Sequence, residues 1–349
     1  MWTLTNVQAL PIHRRRDHAF VLGVVISSTI AVVGANPAEA TLLSCQGRMS
    51  TCYLVLGGQK AAVVKIRPSE RISLSPGNQK AVAIQRYIRD VIATPETYSF
   101  GVVTHPTSGV TYEYIVEEYL PFAPPQVLST RQRIRMYKSL ALAMRGVHRV
   151  RVEGFGDSIS QGETRFLAST WKEWITELLF RCKFRELANA GLLTRETASR
   201  AEAKVRELSG LSREPELYHG DVLGNWANFL IDEKLTVRAF LDWEFAGSGA
   251  AIENELASVL YCFVRDGVPV AEQEIYLQAL LEGFGISHQN FIEIHRPVVE
   301  ALLLVHAAKA IYRIFPGAAI WSGDRGEREQ RIVFARRARA LLESIVKIR

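Results

Sequence analysis

The sequence predicts an α+β fold in two lobes: a small β-rich N-terminal lobe over residues 1–120 and a large, mainly helical C-terminal lobe over residues 121–349. Three observations carry this expectation. Between residues 42 and 120, short apolar runs rich in β-branched and aromatic residues alternate with turn-forming groups such as Gly57-Gly58 and Pro106-Thr107-Ser108-Gly109. From Thr130 onward the apolar residues recur at the helical period instead. Between the two regions, Pro121, Pro124 and Pro125 stiffen the chain and mark a boundary. At 349 residues and 48% hydrophobic, the chain can bury a substantial core, and its length suits one two-lobed domain or two small ones.

In order along the chain, Arg14-Arg15-Arg16, the apolar run Ala19 to Gly34 and Ala38-Glu39-Ala40 have the layout of a secretory signal with its cleavage site. Ser27-Ser28-Thr29 interrupts the run, and the favoured reading is an N-terminal helix, or a strand against the small lobe. No later run reaches the length needed to cross a bilayer, so no stable membrane insertion is expected. Leu42 to Cys45 and Cys52 to Leu56 read as strands flanking residues 46–51, where Gly47 and small hydroxyl residues such as Ser50 let backbone N–H groups approach phosphates. An ordinary hairpin loop reads the same way. The loop carries neither the Walker pattern nor GxGxxG, which argues against a P-loop or dinucleotide site. In the next strand, Ala61 to Arg67, Lys65 interrupts an apolar run. Burying an ammonium costs on the order of several kcal/mol unless it is paired. Lys65 is therefore either a partnered functional group or a lysine on the solvent face of an edge strand, with Arg67 the substitute if the register differs. Asn78 to Ala93 reads as a helix, and Thr97 to Val103 and Thr111 to Leu120 as two further strands.

In the larger lobe, Ile134, Tyr137, Leu140, Leu142, Met144 and Val147 form an apolar stripe that ends at His148, predicting a long helix with a packed terminal histidine. Residues 152–156 read as a loop, residues 170–190 as a helix whose Trp171, Trp174, Ile175, Leu178 and Leu179 face inward, and residues 194–208 as a charged helix. The stretch from Leu217 to Ala257 carries the chemistry. It holds His219-Gly220-Asp221, then Asn228 before an apolar run, then Asp242 at the end of the next one. Asn228 to Asp232 and Val237 to Asp242 are joined by Glu233-Lys234-Leu235, a hairpin that brings Asn228 and Asp242 together. A carboxylate and an amide oxygen converging there suit Mg²⁺, a hard cation that takes oxygen ligands and keeps several waters. Asp221 lies on a turn outside that pair, placed to accept the proton of an attacking hydroxyl. Helices are expected at residues 252–263, 271–282, 287–315 and 328–345.

The HGD turn, the Asn and the Asp242-Trp243-Glu244 run, in this order between apolar strands, resemble the catalytic segment of the aminoglycoside phosphotransferase and choline kinase-like family. The resemblance implies a two-lobed protein kinase-like fold, ATP or GTP with Mg²⁺ as cofactors, and a small-molecule hydroxyl as acceptor. It assigns Asp221 as catalytic base, Asn228 and Asp242 as metal ligands, Lys65 to the α- and β-phosphates, and Gly47 and Ser50 to the loop over the nucleotide. It also assigns the backbone of Glu118 and Leu120 to the adenine edge. The departures are specific. The family places its Asn five residues after the Asp, where this chain has Trp226. Asn228 is preferred because it directly precedes Phe229-Leu230-Ile231, and Asn225 is the alternative. The helix acid that pairs with the strand lysine is missing: Lys80 occupies the nearest matching place, Gln79 and Gln85 flank it, and either Glu70 substitutes or the pairing is replaced. An aminoglycoside or related amino-sugar is the leading acceptor, as in the hygromycin-modifying type, whose helix also looks poor in that acid. Choline, ethanolamine, homoserine and thiosugar kinases share the pattern, and an inactive nucleotide-binding module is the rival from another class. Glu253, Glu255, Asp266 and Glu272 either serve an amine-bearing acceptor or are ordinary surface acids.

Net charge is +6, but residues 1–18 contribute +2 and residues 324–349 contribute +4, leaving the body neutral. The basic balance thus belongs to the ends, and no nucleic-acid partner is expected. The four cysteines have no metal-ligand spacing and read as reduced thiols, which with the ATP-dependent reading gives a cytoplasmic expectation.

Overall fold

In chain order the first part of the protein runs β1 (Leu4–Thr5), α1 (Ile12–Ser28), β2 (Thr41–Leu43), β3 (Thr51–Leu56), β4 (Ala61–Pro68), α2 (Asn78–Ile88), β5 (Thr97–Thr104) and β6 (Thr111–Glu118). The structure, a computed structural model, describes residues 4–5, 12–43, 50–57, 60–69, 78–160, 165–312 and 325–347. Its strands form one antiparallel sheet in the order β1-β2-β3-β4-β6-β5, so β4 lies in the interior of the sheet. Side chains alternate across it, as the two-residue period requires. On one face Ala62, Val64 and Ile66 of β4 are fully buried, and Val21, Leu22, Val25 and Ile26 of α1 pack into the same cluster. The apolar run near the N-terminus is thus the lid of this core. Each of the Val, Leu and Ile side chains contributes roughly 1.5–3 kcal/mol by leaving water. Under the same helix, Tyr53 Oη lies 2.7 Å from His18 Nδ1, and Tyr112 donates to Asp17 at 2.8 Å.

The other face of β4 presents Val63, Lys65 and Arg67, whose partners on β6 are Glu117, Ile115 and Glu113. A central strand therefore carries two cations facing two acids. The reading of Lys65 as a solvent-facing lysine on an edge strand is overturned by the pairing on both sides of β4.

The second unit begins with α3 (Thr130–His148), opened by a capping box in which Ser129 and Gln132 exchange side-chain to backbone bonds. It continues through β7 (Phe155–Ile159), β8 (Phe166–Ala168), α4 (Trp171–Cys182), α5 (Phe184–Asn189), α6 (Arg195–Glu207) and β9 (Glu216–Tyr218). The single helix expected over residues 170–190 is two helices, with Lys183 between them at φ 55°. Cys182 and Phe184 are both buried. Positions two apart on one continuous helix point about 200° apart, so the break lets both reach the interior.

The chain then adds β10 (Phe229–Ile231) and β11 (Val237–Phe240) to the first unit, which comprises Met1–Val127 and Trp226–Phe245. Finally β12 (Gly247–Gly249), α7 (Ala251–Asp266), α8 (Val270–Phe284), α9 (His288–Asn290), α10 (Arg296–Tyr312) and α11 (Arg325–Lys347) complete the second, Leu128–Asn225 with Ala246–Arg349. A four-stranded sheet, β8-β7-β12-β9, stands where the sequence reads a loop at 152–156. Packed among α4, α6, α7 and α11, α10 is apolar on nearly every side, with ten buried residues between Val298 and Ile311. At Gly283 an added Cβ would lie 2.4 Å from the Lys138 carbonyl, so α3 and α8 approach backbone to backbone. No helix among the described residues is long and apolar enough to cross a membrane.

Candidate active site

In the first unit the sheet and the β10–β11 hairpin build one site. Phe229 pairs with Phe240 and Leu230 with Ala239, and Leu241 N donates to the Asn228 carbonyl at 2.8 Å. The hairpin turn is closed by Asp232, whose Oδ1 accepts from the backbone of Lys234 and Thr236, both at 2.9 Å. Two further backbone bonds anchor the hairpin within the unit, from Phe240 N to Ala93 O at 3.1 Å and from Ile231 N to Ala123 O at 2.9 Å. Asn228 and Asp242 are thereby held at the adjoining ends of neighbouring strands. Asp242 has φ 57°, a left-handed conformation that costs a non-glycine residue on the order of 1–3 kcal/mol and is kept only where the surroundings enforce it.

Those surroundings are two cations from β4. Lys65 Nζ donates to Asp242 and lies 2.7 Å from Glu117 Oε2. Arg67, 4% exposed, donates to Glu244 at 2.7 Å and Glu113 at 2.6 Å, and to Asn78 Oδ1 at 3.3 Å. The intervening Trp243 is fully buried. Burial alone would lower the Lys65 pKa, but Asp242 and Glu117 outweigh it and hold the ammonium well above its ordinary range. Lys65 is charged at every physiological pH.

This group forms one wall of a cleft also lined by Val63, Glu118, Leu120, Leu230 and Leu241. Its walls are mainly apolar, and Lys65 and Asp242 place charge in it, which suits a planar base and an anionic tail. Of the expected site residues, Lys65, Glu118, Leu120 and Asp242 share this cleft, and Ala227, beside the buried Asn228, lines it too. Ser50 is half-buried immediately before β3. Gly47 and Glu70 lie outside the described residues. The helix place matched to Lys80 is filled differently: Gln85 of α2 reaches Glu117, donating to its Oε1 at 2.9 Å. Glu117 and Glu244 were missed as partners from sequence. The signal for Glu117 was the spacing, cations at 65 and 67 and acids at 113 and 117, each pair on one face of its strand.

The Mg²⁺ donors expected from the sequence, Asp242 and Asn228, are one carboxylate and one amide oxygen, and among the described residues no cluster of three or more His, Cys, Asp or Glu is arranged for a metal. That donor set fits Mg²⁺, which is commonly held by one or two carboxylates together with phosphate oxygens.

In the second unit, the HGD turn is held by α7. Glu255 Oε1 accepts from His219 N at 2.7 Å and Gly220 N at 3.0 Å, and Ser258 Oγ donates to the Gly220 carbonyl at 3.5 Å. Gly220 takes φ 81°, where a side chain would be strained. One turn further along α7, an added Cβ at Gly224 would meet Cys262 Sγ at 2.4 Å. Residues 255, 258 and 262 therefore form the face of the helix on which the loop rests. Asn225 Nδ2 donates to Asp221 Oδ2 at 3.2 Å, whereas Asn228 is tied through its carbonyl to Leu241, the residue before Asp242. Burial pushes Glu255 up to about 7 against the lowering effect of its two backbone bonds, and nearby Asp221 adds to the rise.

The acids weighed as acceptor ligands have other partners. Glu253 is buried against Arg213 at 3.0 Å and His295 at 3.1 Å, Glu255 is fully buried, Asp266 pairs with Arg265, and Glu272 accepts from Tyr276. Glu253 and Glu255 are corrected to structural roles, because neither carboxylate is open to a ligand.

Solved structures with this fold include aminoglycoside phosphotransferase APH(4)-Ia in a ternary complex with ADP and hygromycin B, at 15% identity and TM-score 0.64 over 95% of this chain and 97% of that one. Another is APH(4)-Ia itself at 16% identity and TM-score 0.62, covering 94% and 97%. A third is a microcompartment-associated aminopropanol kinase at 14% and 0.55, covering 94% and 97%. At these identities the likeness establishes a two-lobed kinase-like fold. No curated protein matches the sequence. The model of the phosphotransferase enzyme family matches residues 46–302, spanning β3 into the first part of α10 and so both the Lys65 cleft and the HGD turn. The chain belongs to the phosphotransferase enzyme family.

Proposed function

We propose that this phosphotransferase moves the γ-phosphoryl group of ATP or GTP to a hydroxyl of a small molecule. The observation that carries the reading is Lys65 paired with Asp242 in a mainly apolar cleft that Glu118 and Leu120 also line. The base is received between the apolar walls, where the backbone of Glu118 and Leu120 reads its edge. Lys65 grips the phosphates that are not transferred. Gly47 and Ser50 cover them. Asn228 and Asp242 would hold Mg²⁺, which when bound neutralises charge on the phosphates. Asp221 positions the acceptor hydroxyl and takes its proton, while the Asn225 amide orients the carboxylate.

For the acceptor, an amino-sugar of the aminoglycoside type is the leading reading, supported by the catalytic segment and by the fold shared with an enzyme crystallised with hygromycin B. The likeness to an aminopropanol kinase supports small amino-alcohols as the second reading. Glu117 beside Lys65 favours an active enzyme over an inactive binding module, because the lysine has its carboxylate despite the acid-free helix.

The test is a screen of amino-sugars and amino-alcohols with Mg²⁺ and labelled ATP or GTP. Transfer to at least one acceptor is expected. Asp221→Asn should lower turnover about 10²- to 10⁴-fold, the range for losing a general base, with little change in nucleotide binding. A variant within about threefold of the parent would remove Asp221 from that role.

A further inference from the structure

We infer that Glu117 on β6, rather than an acid on α2, is the positioning residue for Lys65, and that Gln85 and Thr97 hold it there. The inference rests on the reading of Lys65 as the phosphate-gripping group. Its evidence is a continuous chain of directed contacts, buried at Glu117 and Gln85. Lys65 Nζ lies 2.7 Å from Glu117 Oε2, Gln85 Nε2 donates to Glu117 Oε1 at 2.9 Å, and Thr97 Oγ1 donates to Gln85 Oε1 at 2.7 Å. The amide of Gln85 has one workable orientation, since flipping it would aim its carbonyl at the carboxylate. Each oxygen of Glu117 thus has its own donor. Glu117 and Gln85 are each 3% exposed.

The second carboxylate on the same ammonium does not fill this role. The Asp242 side chain is 38% exposed against 4% for Glu117, and in the proposed reading it is committed to the metal. Nor does α2 supply an acid, because Asn78–Ile88 contains neither Asp nor Glu. What α2 contributes is a neutral amide. The charge that fixes Lys65 has moved from a helix to the sheet, where register sets the pair: Val63 lies opposite Glu117 and Lys65 opposite Ile115, so Lys65 and Glu117 are diagonal neighbours on one face. The position of the ammonium then depends on strand pairing, and a shift of α2 loosens only the Gln85 bond.

The experiment compares binding of Mg·ATP, or Mg·GTP if that binds tighter, with binding of the bare nucleoside by calorimetry, for the parent, Lys65→Ala, Glu117→Gln, Glu117→Asp, Gln85→Met and Thr97→Val. Glu117→Gln should weaken the Mg-nucleotide about tenfold or more, the effect of losing a charge-assisted bond, with the nucleoside unchanged. Glu117→Asp should recover part of the loss. Gln85→Met and Thr97→Val should each weaken the Mg-nucleotide about two- to fivefold, as expected for a neutral bond, and they keep the question open if Glu117→Gln fails to fold. Equal loss of nucleotide and nucleoside binding, or no change in any of these variants while Lys65→Ala weakens the Mg-nucleotide, overturns the inference alone. An unchanged affinity in Lys65→Ala overturns the reading beneath it, and the inference with it.

Discussion

Arg67 is 4% exposed and engages Glu113 and Glu244 at once, so its side chain ties β4, β6 and the segment just after Asp242 to a single guanidinium. Removing it would strand two carboxylates that are only 12% and 13% exposed. Arg67→Met should therefore cost about 3–5 kcal/mol by urea unfolding, the range for breaking a buried pair from one side. A loss of less than about 1 kcal/mol would place Arg67 among ordinary surface pairs. Glu255 gives a second prediction, with a definite sign. Its carboxyl titrates near 7 in the fold against an ordinary 4.5, so the folded chain keeps a proton that the unfolded chain releases. The stability this contributes is fully present below about pH 4.5 and is lost as pH rises through about 7, on the order of 3 kcal/mol. Glu255→Gln keeps an oxygen for the two backbone N–H groups and removes the titration. Its stability relative to the parent should rise between pH 4.5 and pH 8, and parallel pH profiles would exclude the effect.

At the scale of elements, α1 shows what a linear reading captures and what it loses. Its apolar run was visible, together with a secretory-signal layout, and the interrupting Ser27-Ser28-Thr29 favoured a helix or strand on the small lobe. Which sheet face it covers is a fact of three dimensions. Val25, fully buried in that core, is the sensitive position: Val25→Asp leaves an unpaired charge there and should destabilise the protein by about 3–5 kcal/mol in urea. A neutral outcome would mean that α1 is dispensable packing. Strands β2 to β6 and the β10–β11 hairpin were legible because each has alternating or continuous apolar runs bounded by turns, whereas the two-residue β1 was not. The sheet of the second unit was not. β12 is Gly247-Ser248-Gly249, with no side-chain period to read, and its existence depends on partners at 156 and 216–218. Lys65 was legible because a lone cation in an apolar strand is expensive. Glu117 was not singled out, because which of Glu113, Glu117 and Glu118 meets the lysine depends on the register of β4 against β6.

At the scale of the whole molecule, neither compact unit is a continuous stretch of chain, since Trp226–Phe245 belongs with residues 1–127 although it is encoded between two segments of the other unit. The first unit's cleft depends on that return: Lys65 meets Asp242, Arg67 meets Glu244, Ala93 accepts from Phe240, and Leu230 and Leu241 line the walls. A fragment ending at Val127 would keep β1–β6, α1 and α2, yet would expose the apolar surface that the hairpin covers and leave two cations short of a carboxylate. Restoring residues 226–245 through a flexible Gly/Ser linker returns those partners as an intramolecular event, at an entropic cost that grows only slowly with linker length. The linked fragment should therefore unfold at higher urea than the fragment of residues 1–127, by about 2 kcal/mol or more, and should bind Mg-nucleotide where the shorter one does not. Equal midpoints, together with equal nucleotide binding, would show that the sheet alone makes the cleft and that the hairpin adds only its metal-facing side chains.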